Sequence, residues 1–224
     1  MRSFIRNNSL ALFFGLIFLL ALIGQAFAGQ AELNNMLVSS GLEPVSLGRY
    51  LTSSDFGVDV MENWQSEYLQ FSLYVFATVW LVQKGSPESK QLDQIGTESD
   101  EDQRVGRHAT GDSPAWARVS GVRRTIFSRS LGLVMLAIFL LSWFVMSLSG
   151  RVAYNEHQLA DLQPPITYLG YLASADFWSR TFQNWQSEFL AVGSMAVFAI
   201  YLRQRGSPES KPVGAPHSAT GVEG

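Results

Sequence analysis

One block of residues occurs twice in this chain, and the repetition restricts the fold more than any other sequence feature. The first occurrence begins Asn63-Trp64-Gln65-Ser66-Glu67, continues through an apolar stretch, and ends Gly85-Ser86-Pro87-Glu88-Ser89-Lys90. The same pattern returns 121 residues later as Asn184-Trp185-Gln186-Ser187-Glu188 and ends Gly206-Ser207-Pro208-Glu209-Ser210-Lys211. The chain is therefore predicted to consist of two tandem copies of one structural unit.

Each copy contains two apolar blocks that predict helices. Leu10–Ala28 and Leu131–Ser149 carry no charge over 19 residues, which is enough to cross a hydrocarbon core ~30 Å thick at ~1.5 Å per residue. The second and fourth helices are predicted at about 55–84 and 176–205. These observations predict an all-α membrane protein with four transmembrane helices, in which two parallel two-helix repeats share a pseudo-two-fold axis along the membrane normal.

Short polar residues mark the ends of the second and fourth helices. The predicted N-cap residues are Ser53, Asp55, Ser174 and Asp176. Gly85 and Gly206 are predicted to end these helices, since glycine readily adopts the left-handed conformation that follows a helix. Ser86-Pro87-Glu88 then predicts the start of a further short helix.

The predicted domains follow from these boundaries. Residues 1–90 form the first hairpin repeat and residues 123–211 the second. Between them, 91–122 has no apolar periodicity and is predicted to be a disordered cytoplasmic linker, whereas 212–224 is predicted to be a disordered tail.

The N-terminal segment has two interpretations. A basic start, an apolar run and Ala26-Phe27-Ala28 resemble a secretory signal peptide with its cleavage site. However, Ile17-Phe18-Leu19-Leu20 recurs internally as Ile138-Phe139-Leu140-Leu141, and an internal copy cannot be a signal peptide. We therefore expect Met1–Ala28 to be retained as a membrane helix.

The distribution of cations predicts the orientation. The N-terminus, residues 83–130 and the C-terminus hold 13 of the 16 Lys and Arg residues, and the two connectors hold only Arg49, Arg151 and Arg180. Because cytoplasmic segments are enriched in Lys and Arg, both termini and the linker are predicted to lie in the cytoplasm. The predicted location is the inner membrane, with the lipid bilayer as a partner.

The duplicated Asn-Trp-x-Ser-Glu and Gly-Ser-x-Glu-Ser-Lys motifs resemble an uncharacterised family of bacterial four-helix membrane proteins, a domain of unknown function. Residues 2–90 and 123–211 carry this resemblance. It implies the membrane architecture and implies no activity.

The candidate functional residues are six, three from each copy of the Asn-Trp-Gln-Ser-Glu motif. Successive helical residues turn by ~100°, so Asn63, Trp64 and Glu67 share one face of their helix, with Gln65 on the far side. Their counterparts are Asn184, Trp185 and Glu188. Carboxylates one turn inside an interfacial tryptophan are costly unless paired, hydrated or protonated. Three interpretations stay open for the glutamates: a structural role, proton or cation handling by a facing pair, and a partner- or lipid-binding site.

Composition removes several classes of function. The chain has no cysteine, and its three histidines lie outside the apolar blocks, so no cofactor or metal site is expected. A net charge of −3 gives no reason to expect nucleic-acid binding. No Ser-His pair, metal-ligand set or Asp dyad indicates a membrane hydrolase. We therefore expect a multi-pass membrane protein with a structural or partner-binding role, as a homo-oligomer or with another membrane protein; a transporter or channel subunit is the alternative, and an enzyme the weaker one.

Overall fold

The computed structural model describes residues 2–224, and the described chain is all-helical, with no strand. The all-α prediction is confirmed. The helices are α1 (Arg2–Asn7), α2 (Ser9–Ser39), α3 (Leu47–Leu51), α4 (Ser54–Ala77), α5 (Ala115–Arg118), α6 (Val122–Phe127), α7 (Ser130–Ala160), α8 (Tyr168–Leu172) and α9 (Ala175–Tyr201). A 3₁₀ helix lies at Gly106–His108.

Two of these helices, α2 and α7, are long and apolar enough to cross a membrane. Each has 31 residues, and their most apolar windows reach mean hydropathies of 2.5 and 2.4. Both continue 11 residues beyond the predicted ends at Ala28 and Ser149. Polar residues follow each apolar block, but most of them are compatible with a helix, so the loss of hydrophobicity there does not end the helix.

The starts of α4 and α9 agree with the predicted N-caps at two serines. The hydroxyl of Ser53 accepts a hydrogen bond from the amide of Phe56 at 3.2 Å, and Ser174 accepts one from Phe177 at 3.3 Å. Each bond satisfies an amide that has no partner within the helix. Asp55 and Asp176 lie in the first turn of the helix instead of at its cap.

The predicted end of α4 near Lys84 is wrong, because the helix ends at Ala77. The next residue, Thr78, directs its hydroxyl back to the carbonyl of Tyr74 at 2.8 Å. The carbonyl of Val79 accepts a hydrogen bond from the amide of Gly96 at 2.8 Å instead of one from a following helical turn. Two β-branched residues, a side chain that competes for a helix carbonyl and a long-range backbone bond together end the helix here.

The predicted end of α9 near Arg205 is also too late, because the helix ends at Tyr201. The Arg203 side chain donates to the carbonyls of Ala199 and Ile200 at 3.4 and 3.1 Å. It thereby satisfies carbonyls that have no partner at the helix end. Gly206, like Gly85, has a positive φ within a turn rather than at a helix end. No helix begins at Ser86 or Ser207, so the predicted short helix is a further correction.

The two connectors are folded back by asparagine side chains. The amide of Asn34 donates to the carbonyl of Val45 at 3.1 Å and accepts from its backbone amide at 2.7 Å. Asn155 makes the same pair of bonds to Ile166 at 3.1 and 2.8 Å. Each carboxamide satisfies both backbone groups of one connector residue, which fixes the chain before the short helix that follows.

The described chain divides into two compact units, one formed by Met1–Met61 with Val145–Phe177 and the other by Glu62–Phe144 with Trp178–Gly224. Each unit combines segments from both halves of the chain. The boundaries predicted for the two repeats, the flexibility predicted for 91–122 and the disorder predicted for 212–224 stay predictions.

The core of the first unit contains two tyrosines, each packed against a helical glycine. Tyr50 and Tyr171 are fully buried, next to Gly29 and Gly150 respectively. The Tyr171 hydroxyl donates to Asp176 at 3.0 Å. Burial, with a smaller effect of the neighbouring Asp59 carboxylate, raises the pKa of Tyr50 to about 12. The Tyr50 hydroxyl therefore stays protonated at neutral pH and donates to the Asp59 carboxylate at 3.4 Å.

Candidate functional site

The candidate site lies in the second unit, where the middle of α4 meets α9. In α4 the predicted residues Asn63 and Glu67 are exposed and Trp64 is half-buried. Gln65 and Ser66 are buried instead. The sequence placed Gln65 on the side of α4 away from the candidate residues, and this is the side that contacts α9.

The equivalent stretch of α9 turns a different face inward. Asn184, Trp185 and Glu188 are half-buried, whereas Gln186 and Ser187 are exposed. The five residues are identical in the two motifs, yet the buried members differ. Sequence identity therefore does not determine which face of each helix is covered.

One hydrogen bond joins the two motifs directly. The Trp185 indole nitrogen donates to the Gln65 side-chain oxygen at 2.8 Å. The Gln65 side-chain nitrogen in turn donates to the backbone carbonyl of Glu62 at 3.0 Å. Gln65 is fully buried, so these bonds replace the water that its carboxamide loses on folding.

An ion pair lies one turn before this bond. Arg180 donates to the Glu62 carboxylate at 2.9 Å, and the two side chains are 35% and 21% exposed. A partly buried pair of this kind cancels two charges that would each be costly in an apolar environment. Sequence reasoning missed both residues because their counterparts at the 121-residue offset are Gln183 and Asp59, so the repeat gave no signal.

The two predicted glutamates are brought into the same neighbourhood. The Glu188 carboxylate lies close to the Ser66 hydroxyl and within electrostatic range of Glu67. Glu67 is exposed and Glu188 is half-buried. A proton or cation shared by two carboxylates would need such proximity, but the difference in exposure makes the two environments unequal.

Aromatic residues pack on one side of this polar group. The ring of Trp143 from α7 stacks on Phe139 at 5.7 Å and lies 6.3 Å from Trp185 between centroids. Its indole nitrogen donates to the Thr181 hydroxyl at 3.3 Å, and Thr181 is fully buried. Aromatic pairs at these distances are stabilising beyond the area they bury. The Gln65–Trp185 bond is therefore held on one side by a packed aromatic cluster.

The second repeated motif also makes matching local bonds. The Ser89 hydroxyl accepts from the amide of Gln83 at 2.8 Å, and Ser210 accepts from Gln204 at 2.9 Å. Each serine closes a seven-residue turn. The sequence indicated a helix cap in this motif, whereas the structure shows a turn held by the last serine.

Two glutamates of these turns, Glu88 and Glu209, also come together. The Tyr74 hydroxyl donates to the Glu88 carboxylate. A hydrogen bond with Glu88, followed by the repulsion of its charge, raises the pKa of the Glu209 carboxyl. The adjacent Lys211 is buried and donates to the carbonyls of Gly85 and His217 at 2.6 and 2.9 Å. Sequence reasoning missed this cluster because it treated each turn separately.

Within residues 2–224, no three His, Asp or Glu side chains lie close enough together to hold a metal ion. The Gln65–Trp185 and Glu62–Arg180 contacts can bind and orient helices. The carboxylates of Glu88 and Glu209 can hold a proton between them.

The family model described as "Domain of unknown function (DUF6766)" matches residues 1–222. No curated protein and no solved structure matches the chain.

Proposed function

The chain belongs to this family of unknown function, and we propose that it is a multi-pass integral membrane protein with a structural or partner-binding role and no enzymatic activity. One observation carries the proposal. The apolar windows of α2 and α7 are only 6% and 28% buried, so most of their apolar surface has no protein cover. Lipid removes this cost because each helix is about 46 Å long at ~1.5 Å per residue and hydrogen-bonds its own backbone.

We propose that α4 and α9 cross the membrane as well. With 24 and 27 residues, they are about 36 and 40 Å long, which exceeds the ~30 Å hydrocarbon core. Their charges argue against this at first sight. The pairing of Glu62 with Arg180 at 2.9 Å and the bond of Gln65 to Trp185 supply partners for four of the polar side chains that would otherwise face lipid.

The four helices are proposed to form two tandem hairpin repeats. Supporting this, α2 and α7 begin and end at an offset of 121 residues, as do α3 and α8. The connector bonds of Asn34 and Asn155 recur at the same offset. When two copies of one unit fold alike, equivalent residues are expected to make equivalent local bonds.

The proposed orientation places both termini and residues 91–122 in the cytoplasm and both connectors outside the cell membrane. The cation distribution supports it, since cytoplasmic segments near membrane helices are enriched in Lys and Arg.

The polar residues of the motifs support a structural role. Gln65 and Ser66 are buried, and both the indole of Trp185 and the guanidinium of Arg180 bind α4. Residues engaged with each other in this way hold helices together. A homo-oligomer or another membrane protein is the proposed partner.

Proton or cation handling is the second candidate, favoured by the proximity of Glu188 to Glu67. Its test is proton flux into vesicles that contain the purified protein. Flux that is abolished in Glu188→Gln but retained in the matched variant Gln186→Glu would place transport ahead of the structural role. Equal leakage from protein-containing and empty vesicles would exclude it.

Topology is the experiment that tests the main proposal. The chain has no cysteine, so single cysteines can be labelled without background. An impermeant thiol reagent on intact cells should label Ser40→Cys and Gln163→Cys but not Ser99→Cys. The reverse pattern contradicts the orientation, and extraction of the protein from membranes by alkaline carbonate contradicts membrane integration itself.

A further inference from the structure

The contact between the two motifs uses unlike surfaces. On α4 the covered residues are Gln65 and Ser66, which are 0% and 1% exposed. On α9 the residues that meet them are Trp185 and Glu188. A contact that joins two different faces of equivalent elements is heterologous, and it leaves one face of each element available.

The face of α9 that remains available carries the same residue types that α4 buries. The counterparts of Gln65, Ser66 and Leu69 are Gln186, Ser187 and Leu190, which are all exposed. The contrast is largest for the leucines, since Leu69 is 9% exposed and Leu190 is 63% exposed. Two amide- and hydroxyl-bearing side chains on an outward membrane face would be costly in lipid.

The complementary face lies on α4, in the first copy of the repeat. On α4 the counterpart of Glu188 is Glu67, which is exposed, and Phe71 one turn further on is 50% exposed. Glu188, which lies beside Ser66 of α4 within the chain, therefore has an exposed equivalent in the first half.

We propose that a second copy of this chain covers these faces and that the protein is a closed homodimer in the membrane. Ser187 of one protomer would lie beside Glu67 of the partner subunit, as Ser66 lies beside Glu188 within each chain. The contact would occur twice, because a two-fold axis exchanges the protomers. The four α4–α9 contacts, two within chains and two between chains, then form a closed ring, as heterologous contacts can. No polar face of these helices remains uncovered in the ring. This proposal rests on the proposed membrane location and names the partner.

One difference between the two contacts determines which of them lies within a chain. The internal contact contains the Glu62–Arg180 ion pair. At the corresponding positions, the contact between chains has Gln183 and Asp59, which carry one charge between them and cannot form an ion pair. Only the contact within the chain has a charged pair. This difference excludes the alternative arrangement, in which the two halves of the chain exchange roles.

Disulfide trapping in native membranes tests the arrangement. Two differently tagged chains, one carrying Glu67→Cys and the other Ser187→Cys, are co-expressed and oxidised. We expect a product with both tags at twice the 24.8 kDa mass of one chain. Ser66→Cys with Glu188→Cys in a single chain is the positive control and should crosslink without any gain in mass.

The negative control exchanges Ser187→Cys for Phe182→Cys. Phe182 is exposed, and on α9 it points about 140° away from Ser187 at ~100° per residue. It should therefore form little of the two-tag product. Self-crosslinking of Ser187→Cys alone would show that α9 meets α9 and would overturn the ring.

Native mass spectrometry of the unmodified protein provides a readout without any substitution. A species of twice the chain mass supports the proposal, and a monomer overturns it. A monomer that still resists carbonate extraction refutes the dimer and leaves the proposed membrane function standing. Release from the membrane refutes the proposed function itself, so the two failures are distinguishable.

Discussion

Replacement of Gly150 by alanine should destabilise the protein, because the glycine lies directly against a buried ring. A methyl group at this position would meet the Tyr171 hydroxyl and would lie 3.0 Å from ring atom Cζ. Tyr171 cannot easily move, since it is fully buried and its hydroxyl donates to Asp176 at 3.0 Å. The ring, its carboxylate partner or α7 must therefore shift.

The expected cost follows from two opposing effects. Inserting a methyl group into a packed core typically costs about 1–3 kcal/mol. Alanine is favoured over glycine in a helix interior by about 0.8–1.0 kcal/mol. The net loss for Gly150→Ala is then about 0–2 kcal/mol in the free energy of unfolding. Gly24→Ala in α2, where no atom lies within 4 Å, is the matched control and should instead stabilise.

Equilibrium unfolding in mixed detergent micelles, followed by circular dichroism, measures both changes. The double variant Gly150→Ala, Tyr171→Phe should recover part of the loss, because it removes the nearest atom. The packing argument is refuted if Gly150→Ala stabilises the protein as much as Gly24→Ala does.

Three further changes probe other contacts. Gln65→Leu removes the acceptor of the Trp185 indole and should lower the free energy of unfolding by about 1–3 kcal/mol, with a shift in tryptophan fluorescence. Unchanged stability and fluorescence would contradict the bond. Leu162 is 93% exposed and has φ of 58°. Leu162→Gly should therefore stabilise the protein by about 0.5–1 kcal/mol, because it removes the strain of a left-handed backbone. The denaturant midpoint measures this change, and a loss of stability would count against the strain. The raised pKa of Glu209 means that the folded chain holds a proton more tightly than the unfolded chain, so stability should fall as pH rises above the ordinary value of 4.5. Glu209→Gln should flatten this part of the pH–stability curve, and an unchanged slope would show that Glu88 does not perturb it.

Local structure was the part of the fold that the sequence could predict. Ser53 and Ser174 were identified as N-caps, and each caps its helix in the structure. Such a bond joins residues three positions apart, so the residues that determine it are visible in a short stretch of sequence. All-helical class and two membrane-length helices followed similarly from the long apolar runs.

Helix ends were less predictable, because distant residues decide them. The carbonyl of Val79 bonds Gly96, 17 residues further on, and nothing near Lys84 signals that bond. The glycines that suggested a helix end have positive φ, but they serve turns that begin after the helix has stopped.

The buried face of each motif was decided by the tertiary structure alone. The residues Asn-Trp-Gln-Ser-Glu are identical in α4 and α9, so any rule based on local sequence assigns both the same inner face. In the folded chain Gln65 is buried while Gln186 is exposed. The cause is heterologous packing: one helix can cover only one side of its neighbour, and the side it covers depends on which helix arrives. Periodicity determines which residues share a face, whereas only the neighbouring helix determines which face loses its water.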